Sequence, residues 1–200
     1  DNETATADFR CGEAALDEYL HRYARQDVKR GVARVFVATP GDLASEVAGF
    51  YTLSAASVAA EKLPESLRKK LPRYPVPAAL LGRLAVSEAA QGQVLGSILL
   101  ADACKRVAAA SQTLAVAAII VDAKSPAAAT FYRHFGFVEL PGQAGRGQRA
   151  GDLRGLVAHL RQGPRAQGLR RALRRQVRTA GPDPVRHRGH GCRVRRCRRP

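Results

Sequence analysis

The sequence predicts an α/β domain with a mixed β-sheet flanked by helices, followed by an arginine-rich tail. Three observations support this prediction. Two β-rich segments, 33–39 and 46–58, flank a proline–glycine turn and predict an antiparallel hairpin. A strand, a loop, a helix and a second strand then follow over 76–123, and a crossover helix of this length implies that the two strands are parallel. Finally, charge is distributed very unevenly along the 200 residues.

Charge and composition place a boundary near residue 140. The chain carries 33 basic and 17 acidic residues, and residues 141–200 contain 17 of the basic ones, all arginine, but only 2 of the acidic ones. This segment has no Phe, Tyr, Trp or Ile, so it can bury little apolar surface and we expect it to be mostly disordered. The predicted organisation is therefore a folded domain over 1–140 and a basic low-complexity tail over 141–200.

Two explanations of the tail remain open. An arginine-rich arm would attract nucleic acid. Arginine without lysine, among many glycines and prolines, is also what a GC-rich gene yields when it is read in a shifted frame. We favour the frameshift and place it over 141–147.

The tail also contains two local patterns. Four potential metal ligands lie close together in it, namely His187, His190, Cys192 and Cys197. Neighbouring arginines repel a cation and the ligand pairs are not tightly spaced, so no metal site is expected. Apolar residues at helical spacing over 152–160 predict a short, marginal helix.

The domain begins with an amphipathic helix over 13–30, in which apolar residues recur at helical spacing and the other face, which includes Arg25, is basic. The hairpin follows. A short helix or loop over 63–72, bounded by prolines, contains the densest basic cluster of the domain, including Arg68, Lys69 and Lys70.

The second half supplies a strand over 76–86, a helix over roughly 96–111 and a strand over 114–123 that is apolar enough to be buried on both faces. The last helix has Ser125 as its N-cap, Pro126 as its first residue and Gly136 at its end.

The loop before the helix at 96 has the composition of a phosphate-binding turn. It contains Gln91, Gly92 and Gly96, and glycines let the backbone approach an anion at the unpaired amides of a helix start. An ordinary strand-to-helix turn has the same composition. Tyr132, among three phenylalanines, is by itself more often a core residue than a catalyst, although a phenol can donate a proton.

Three separated blocks together resemble the GCN5-related N-acetyltransferases: RLAV at 83–86, the Q-x-x-V-x-G turn at 91–96 and FYRHFGF at 131–137. Two further blocks, 9–39 and 47–58, resemble the acetyltransferase toxins of bacterial toxin–antitoxin pairs. The resemblance covers 9–140 nearly continuously.

This resemblance implies an acyl-CoA N-acyltransferase fold and a site for acetyl-CoA as acetyl donor. The residues that match the family's donor site are Leu84, Ala85 and Val86 for the acetyl and pantetheine part, and Gln91, Gly92, Val94, Leu95, Gly96 and Ser97 for the diphosphate. Tyr132 matches the tyrosine that protonates the departing thiolate. No metal is implied.

The toxin branch implies that the acceptor is the α-amine of an aminoacyl-tRNA, so that acetylation stops translation. Candidate tRNA contacts are Arg25, Arg68, Lys69, Lys70 and Arg83. The implied protein partners are a ribbon-helix-helix antitoxin and a second copy of the chain. No apolar run approaches the ~18 residues of a membrane span, and no secretory signal opens the chain, so we expect a cytoplasmic protein with reduced cysteines.

The chain departs from the family pattern twice. Val94 replaces a glycine of the turn, and positive φ at a β-branched residue would cost roughly 1–3 kcal/mol, which weakens acetyl-CoA binding by about one to two decades. After residue 140 the final apolar strand of the family is missing. Two alternatives follow from these departures and from the breadth of the family. The first is that the chain is a non-catalytic remnant that binds antitoxin or RNA. The second is that the chain is an acetyltransferase for a protein or small-molecule amine.

Overall fold

The computed structural model describes most of residues 6–140 and two short segments beyond them, that is, residues 6–40, 46–69, 71, 73–140, 154–159 and 193–196. The predictions made for Lys70, for the quartet of potential metal ligands in the tail and for the disorder of most of the tail lie outside these residues. The chain divides into two compact units. Unit 1 comprises residues 1–54, 82–103 and 176–200, and unit 2 comprises residues 55–81 and 104–175.

Up to the last predicted helix, helices and strands occur in the predicted order. The α-helices are α1 (Ala14–Glu18), α2 (Ala24–Arg30), α3 (Glu65–Arg68), α4 (Leu95–Ala110) and α5 (Pro126–His134). A π-helical turn (Tyr19–Tyr23) joins α1 to α2, and 3₁₀ turns occur at Ala60–Lys62 and Glu88–Ala90. The strands are β1 (Arg34–Thr39), β2 (Gly49–Val58), β3 (Val76–Val86), β4 (Ala118–Ala123), β5 (Val138–Glu139), β6 (Arg154–His159) and β7 (Arg193–Arg196). Their hydrogen-bonded order is β5-β6-β4-β3-β2-β1-β7, a mixed sheet as predicted. Among the described helices, none combines the length and apolarity needed to cross a bilayer.

In unit 1, the N-terminal helices pack on one face of the β1–β2 hairpin. The helix predicted over 13–30 is confirmed, with the π-helical turn inside it and Gly31 ending it at φ 75°. The rings of Phe9 and Tyr19 lie 5.5 and 6.2 Å from the ring of Phe50 on β2, centroid to centroid. The predicted antiparallel hairpin is also confirmed.

The opposite face of β2 contacts α4. A Cβ atom built on Gly49 would lie 2.8 Å from the carbonyl oxygen of Ala85 and 2.9 Å from Leu99 Cδ1, so this close approach requires glycine. At a neighbouring position of β2, the Tyr51 hydroxyl donates a 2.5 Å hydrogen bond to Asp102 Oδ2 on α4. These contacts fix the first half of α4 against the strand.

The outer edge of β1 is occupied by β7. The two strands are antiparallel, with Phe36 opposite Arg196 and Thr39 opposite Arg193. At least these four residues of the basic tail therefore form regular structure.

In unit 2, β3 and β4 are parallel, with Ala78–Leu81 opposite Ala118–Val121. This confirms the prediction made from the crossover helix. A core cluster forms around the ladder and includes Leu63, Val76 and Val157, which are 2%, 1% and 0% exposed.

Strand β6 corrects two predictions made for the tail. Residues 152–160 were expected to form a short helix, and the final strand of the family was expected to be missing. Instead, β6 lies between β4 and β5, antiparallel to both, with Leu156 and Val157 fully buried. As a strand, residues 154–159 form hydrogen bonds with the backbone groups of β4 and β5. A helix this short would be only marginally stable by itself, so the extended conformation is favoured. The sheet therefore extends beyond the boundary predicted at residue 140.

Helix α5 has the predicted caps. The Ser125 hydroxyl accepts a 3.1 Å hydrogen bond from the amide of Ala128, and Pro126 is the first helical residue. Gly136 follows the helix with φ 86°. The position of Tyr132, near the end of this helix, is thereby fixed.

Candidate active site

The segment that leaves β3 is tied to its neighbours in unit 1 by backbone hydrogen bonds. The amide of Ser87 donates to the carbonyl of Ala48 at 2.8 Å, and the amide of Glu88 donates to the carbonyl of Arg10 at 2.9 Å. A 3₁₀ turn at Glu88–Ala90 follows. Hydrogen bonds within the protein therefore hold the start of the predicted phosphate-binding turn in place without a ligand.

The Gln91 side chain closes this arrangement. Its Nε2 donates to the carbonyl oxygens of Cys11, at 2.8 Å, and Val86, at 3.1 Å, and its own backbone amide donates to the carbonyl of Glu88 at 3.3 Å. All N–H groups of Gln91 are thus used within the protein, so it has none for a diphosphate. The geometry shows that Gln91 supports the turn, and its direct contact with acetyl-CoA stays a prediction.

Positive φ in the turn occurs at Gly92, not at Val94. Gly92 has φ 74°, and a Cβ atom built on it meets no atom within 4 Å, so the space beside it is open. Among the described residues, every residue with positive φ is a glycine. The strain predicted for Val94 is therefore wrong: its backbone is ordinary, its side chain is 41% exposed, and its carbonyl accepts the first helical hydrogen bond of α4 from Ile98 at 3.1 Å.

The first turn of α4 presents the amides of Leu95, Gly96 and Ser97 ahead of that first hydrogen bond. Amides at a helix start lack intrahelical acceptors and carry partial positive charge. The helix is 16 residues long, and the open space at Gly92 lies just before it. These residues fit a diphosphate group.

The end of β3 supplies the other predicted donor contacts, Leu84, Ala85 and Val86. The ladder between β3 and β4 ends at Leu81, whereas β3 continues to Val86. Ala85 is 5% exposed and belongs to the core cluster of unit 1. Beyond the ladder, the backbone groups on that side of β3 have no partner in β4 and fit an extended ligand chain.

Tyr132 lies in unit 2, where its ring packs against the rings of Phe131 and Phe137 at centroid distances of 5.3 and 5.5 Å. The residue is 7% exposed. Burial raises the pKa of the Tyr132 phenol well above its usual range, so the hydroxyl stays protonated at neutral pH. No described residue forms a hydrogen bond with this hydroxyl.

The predicted tRNA contacts fall into two groups. Arg25 and Arg83 belong to unit 1, and Arg68 and Lys69 belong to unit 2. Arg25 and Arg68 are exposed. Lys69 forms a 3.0 Å ion pair with Glu65, and both side chains of this pair are mostly exposed.

Arg83 has a partner that the sequence did not suggest. Its guanidinium carbon lies 3.5 Å from the ring centroid of Tyr19. The Tyr19 hydroxyl donates to Asp27 Oδ2 at 3.0 Å, and burial, together with this bond, raises the pKa of Tyr19 to about 12. Helical spacing identified Tyr19 only as part of an apolar face and gave no indication of its hydrogen bond with Asp27.

Two side chains not singled out from the sequence, Tyr51 and Asp102, hold α4 to β2 through the hydrogen bond described above. Because the two residues lie 51 positions apart, the sequence did not predict this hydrogen bond. Within the described part of the chain, no group of three or more His, Cys, Asp or Glu residues could hold a metal ion.

Comparison with known proteins places these features in a family. A family model described as an acetyltransferase (GNAT) domain matches residues 31–139. The chain is 41% identical over 129 residues to the tRNA-acetylating toxin of Mycobacterium tuberculosis (strain ATCC 25618 / H37Rv), covering 64% of this chain and 75% of that protein.

Solved structures agree. AtaT complexed with acetyl-methionyl-tRNAfMet is 28% identical, with a TM-score of 0.69 and coverage of 80% of this chain and 90% of that one. A Tyr-to-Phe variant of AtaT, bound to the C-terminus of the antitoxin AtaR and acetyl-CoA, is 25% identical, with a TM-score of 0.63 and coverage of 80% and 87%. The turn before α4 fits a diphosphate group, a family model matches more than half of the chain, and a relative is 41% identical. This chain therefore belongs to the GNAT acetyltransferase family.

Proposed function

We propose that the protein transfers the acetyl group of acetyl-CoA to the α-amine of an aminoacyl-tRNA and thereby acts as a toxin that inhibits translation. The observation that carries the proposal is the start of α4, where unpaired amides adjoin the open space at Gly92 and the preceding turn is clamped by Gln91. Relatives that are named as tRNA-acetylating or were solved with an acetylated tRNA support the choice of acceptor.

Acetyl-CoA supplies an activated thioester. In the proposed complex, the amides of Leu95, Gly96 and Ser97 bind its diphosphate, and Gly92 leaves room for the phosphate oxygens. Backbone groups of Leu84, Ala85 and Val86 bind the pantetheine chain along the part of β3 that extends past its ladder with β4. Such an arrangement accelerates acyl transfer mainly by positioning the thioester.

Tyr132 is the proposed general acid. The amine nitrogen of the acceptor bonds to the thioester carbonyl carbon, the carbon–sulfur bond breaks, and the departing sulfur takes the phenolic proton of Tyr132. The amine loses one proton to solvent, and the phenolate recovers one. Burial keeps the Tyr132 phenol protonated at neutral pH, which a proton donor requires.

The polyanionic acceptor gives the basic side chains Arg25, Arg68, Lys69, Lys70 and Arg83 a role in binding phosphates. We also propose that the protein partner is an antitoxin, as in the AtaT complex with the C-terminus of AtaR. A ribbon-helix-helix antitoxin and a homodimer of this chain are further parts of the proposal. Action on aminoacyl-tRNA implies work in the cytoplasm.

The alternative of a damaged, non-catalytic remnant is weakened by two observations. Val94 has no positive φ, and β6 adds a strand to the sheet beside β4, where the sequence predicted none. In the described part of the chain, no structural feature favours the third alternative, an acetyltransferase for other amines.

The test is acetyl transfer to a mixture of aminoacyl-tRNAs, with N-acetylated aminoacyl-adenosine detected by mass spectrometry after nuclease digestion. This readout avoids thiol reagents, because the chain has four cysteines. Tyr132→Phe should lower kcat by roughly 10²–10⁴-fold and leave the KM for acetyl-CoA unchanged. Transfer to small amines but not to aminoacyl-tRNA would refute the proposed acceptor, and no transfer at all would favour the remnant.

A further inference from the structure

A basic loop in unit 2 carries an aromatic ring held in solvent. The name basic loop refers to four residues, Arg68, Lys69, Arg73 and Tyr74. Leu63 before the loop and Val76 after it are 2% and 1% exposed and belong to the core of unit 2, and Leu71 packs against the same core. The loop is thus anchored on both sides and at its middle.

Tyr74 is 65% exposed, more than the other exposed tyrosine, Tyr23, at 46%. No described residue forms a ring contact or a hydrogen bond with Tyr74. Because Pro75 follows, the backbone of Tyr74 is restricted to extended conformations, and β3 begins immediately afterwards at Val76. The backbone that carries the ring is therefore already restricted, which reduces the conformational entropy lost when a ligand orders it.

Cations surround this ring in the sequence. Residues 61–75 contain five basic and two acidic side chains. Arg68 and Arg73 are exposed and form no ion pair with a described residue. The ion pair of Lys69 with Glu65 is exposed to solvent and contributes little. Within residues 68–74 the loop therefore combines two arginines that form no ion pair with a described residue and an aromatic ring that contacts no described ring.

We propose that the basic loop binds a single-stranded segment of RNA, with Tyr74 stacking on an unpaired base and the arginines contacting adjacent phosphates. Aromatic side chains recognise single strands by stacking, whereas the bases of a duplex are already stacked on one another. The assignment of this RNA as the single-stranded acceptor end of an aminoacyl-tRNA rests on the proposed function. An anionic membrane surface would match the charge, but membrane-binding segments present several apolar side chains, and Tyr74 is the large apolar residue exposed in the described part of this loop.

Binding of a fluorescently labelled RNA heptamer to the full chain tests the proposal, with the blunt duplex of the same sequence alongside. Tyr74→Ala should raise the Kd for the single strand roughly 5- to 150-fold and change that for the duplex far less. Tyr74→Phe keeps the stacking surface and should stay close to wild type. Leu114→Ala is the matched control, because Leu114 is equally exposed at 65%.

Salt dependence separates stacking from charge. Arg73→Gln should reduce the slope of log Kd against log salt by about 0.7, whereas Tyr74→Ala should weaken binding without changing the slope. The arginines of residues 141–200 contribute equally to every variant. Photo-crosslinking with 4-thiouridine in the heptamer should label the peptide that contains Tyr74, and labelling confined to peptides from 141–200 would overturn the proposal. An unchanged Kd for the single strand in Tyr74→Ala would also overturn the proposal. So would a Tyr74→Ala variant that loses binding to phosphatidylserine vesicles but keeps binding to RNA.

Acetylation kinetics separate this inference from the proposed function. Tyr74→Ala should raise the KM for aminoacyl-tRNA and leave kcat/KM for methionine amide unchanged. If the wild type acetylates aminoacyl-tRNA and Tyr74→Ala does so equally well, the inference fails alone. If the wild type transfers no acetyl group, the proposed function fails, while the heptamer measurements still decide whether the loop binds single-stranded RNA.

Discussion

Replacing Gln91 by alanine removes both side-chain hydrogen bonds that hold the turn between β3 and α4. Each hydrogen bond contributes about 0.5–1.5 kcal/mol net. The carbonyl groups of Cys11 and Val86 lie near the surface and can bond to water instead, which places the combined loss at about 1–2 kcal/mol. If this free energy maintains the turn in its binding conformation, the affinity for CoA falls roughly 5- to 30-fold.

Calorimetric titration of CoA into the wild type and Gln91→Ala measures this loss. Gln93→Ala is the matched control, because Gln93 is an exposed glutamine in the same turn and forms no hydrogen bond with a described residue. Gln91→Glu should lose at least as much as Gln91→Ala, since an ionised carboxylate cannot donate and is repelled by both carbonyl oxygens. A loss of about 1–2 kcal/mol should also lower the thermal midpoint of Gln91→Ala by roughly 2–8 °C, whereas Gln93→Ala should leave it unchanged.

A Gln91→Ala protein that binds CoA within two-fold of the wild type would refute the positioning role. Equal losses in Gln91→Ala and Gln93→Ala would refute it too, because the effect would then come from the exposed turn in general.

Three further outcomes follow from the structure. Val94→Gly should not improve CoA binding and should lower stability by about 0.5–1 kcal/mol, because φ at this position is ordinary; tighter CoA binding would restore the strain hypothesis. Leu156→Ala should cost about 2–5 kcal/mol in urea unfolding, because Leu156 is fully buried in β6; a loss below about 1 kcal/mol would show that β6 does not belong to the sheet. Burial raises the pKa of Cys104 to about 12, so the folded state favours the thiol, and the resulting stability is present below the unfolded pKa and lost as pH rises above about 9. Between pH 8 and 10.5 the wild type should lose roughly 2 kcal/mol more than Cys104→Ala; equal losses would contradict a buried thiol.

The order of elements up to residue 140 could be predicted from the sequence, because its helices and strands have clear periodicity and caps. The predicted cap at Ser125 and the parallel pairing of β3 with β4 are examples that the structure confirms. Strand β6 could not be predicted in this way. Its residues RGLVAH fit helical spacing as well as a short buried strand, and only the vacant position between β4 and β5 decides between them.

The site was predictable as a location but not in its geometry. The turn and Tyr132 were identified from motifs, and their roles remain proposals. The motif could not show that the donors of Gln91 are directed at Cys11 and Val86, which depends on a tertiary contact with the N-terminal segment. Nor could it show that Gly92, instead of position 94, takes the positive φ, because a single sequence does not reveal how strain is distributed within a loop.

Strand β7 has a consequence for any protein that binds by adding a strand to β1. Such a partner competes with a segment of the same chain, which is present at a high effective concentration because it is covalently attached. A chain that ends before residue 193 lacks this internal competitor. The shortened chain should therefore bind a strand-adding peptide more tightly than the full-length chain. Equal affinities would show that β7 does not compete for the edge of β1.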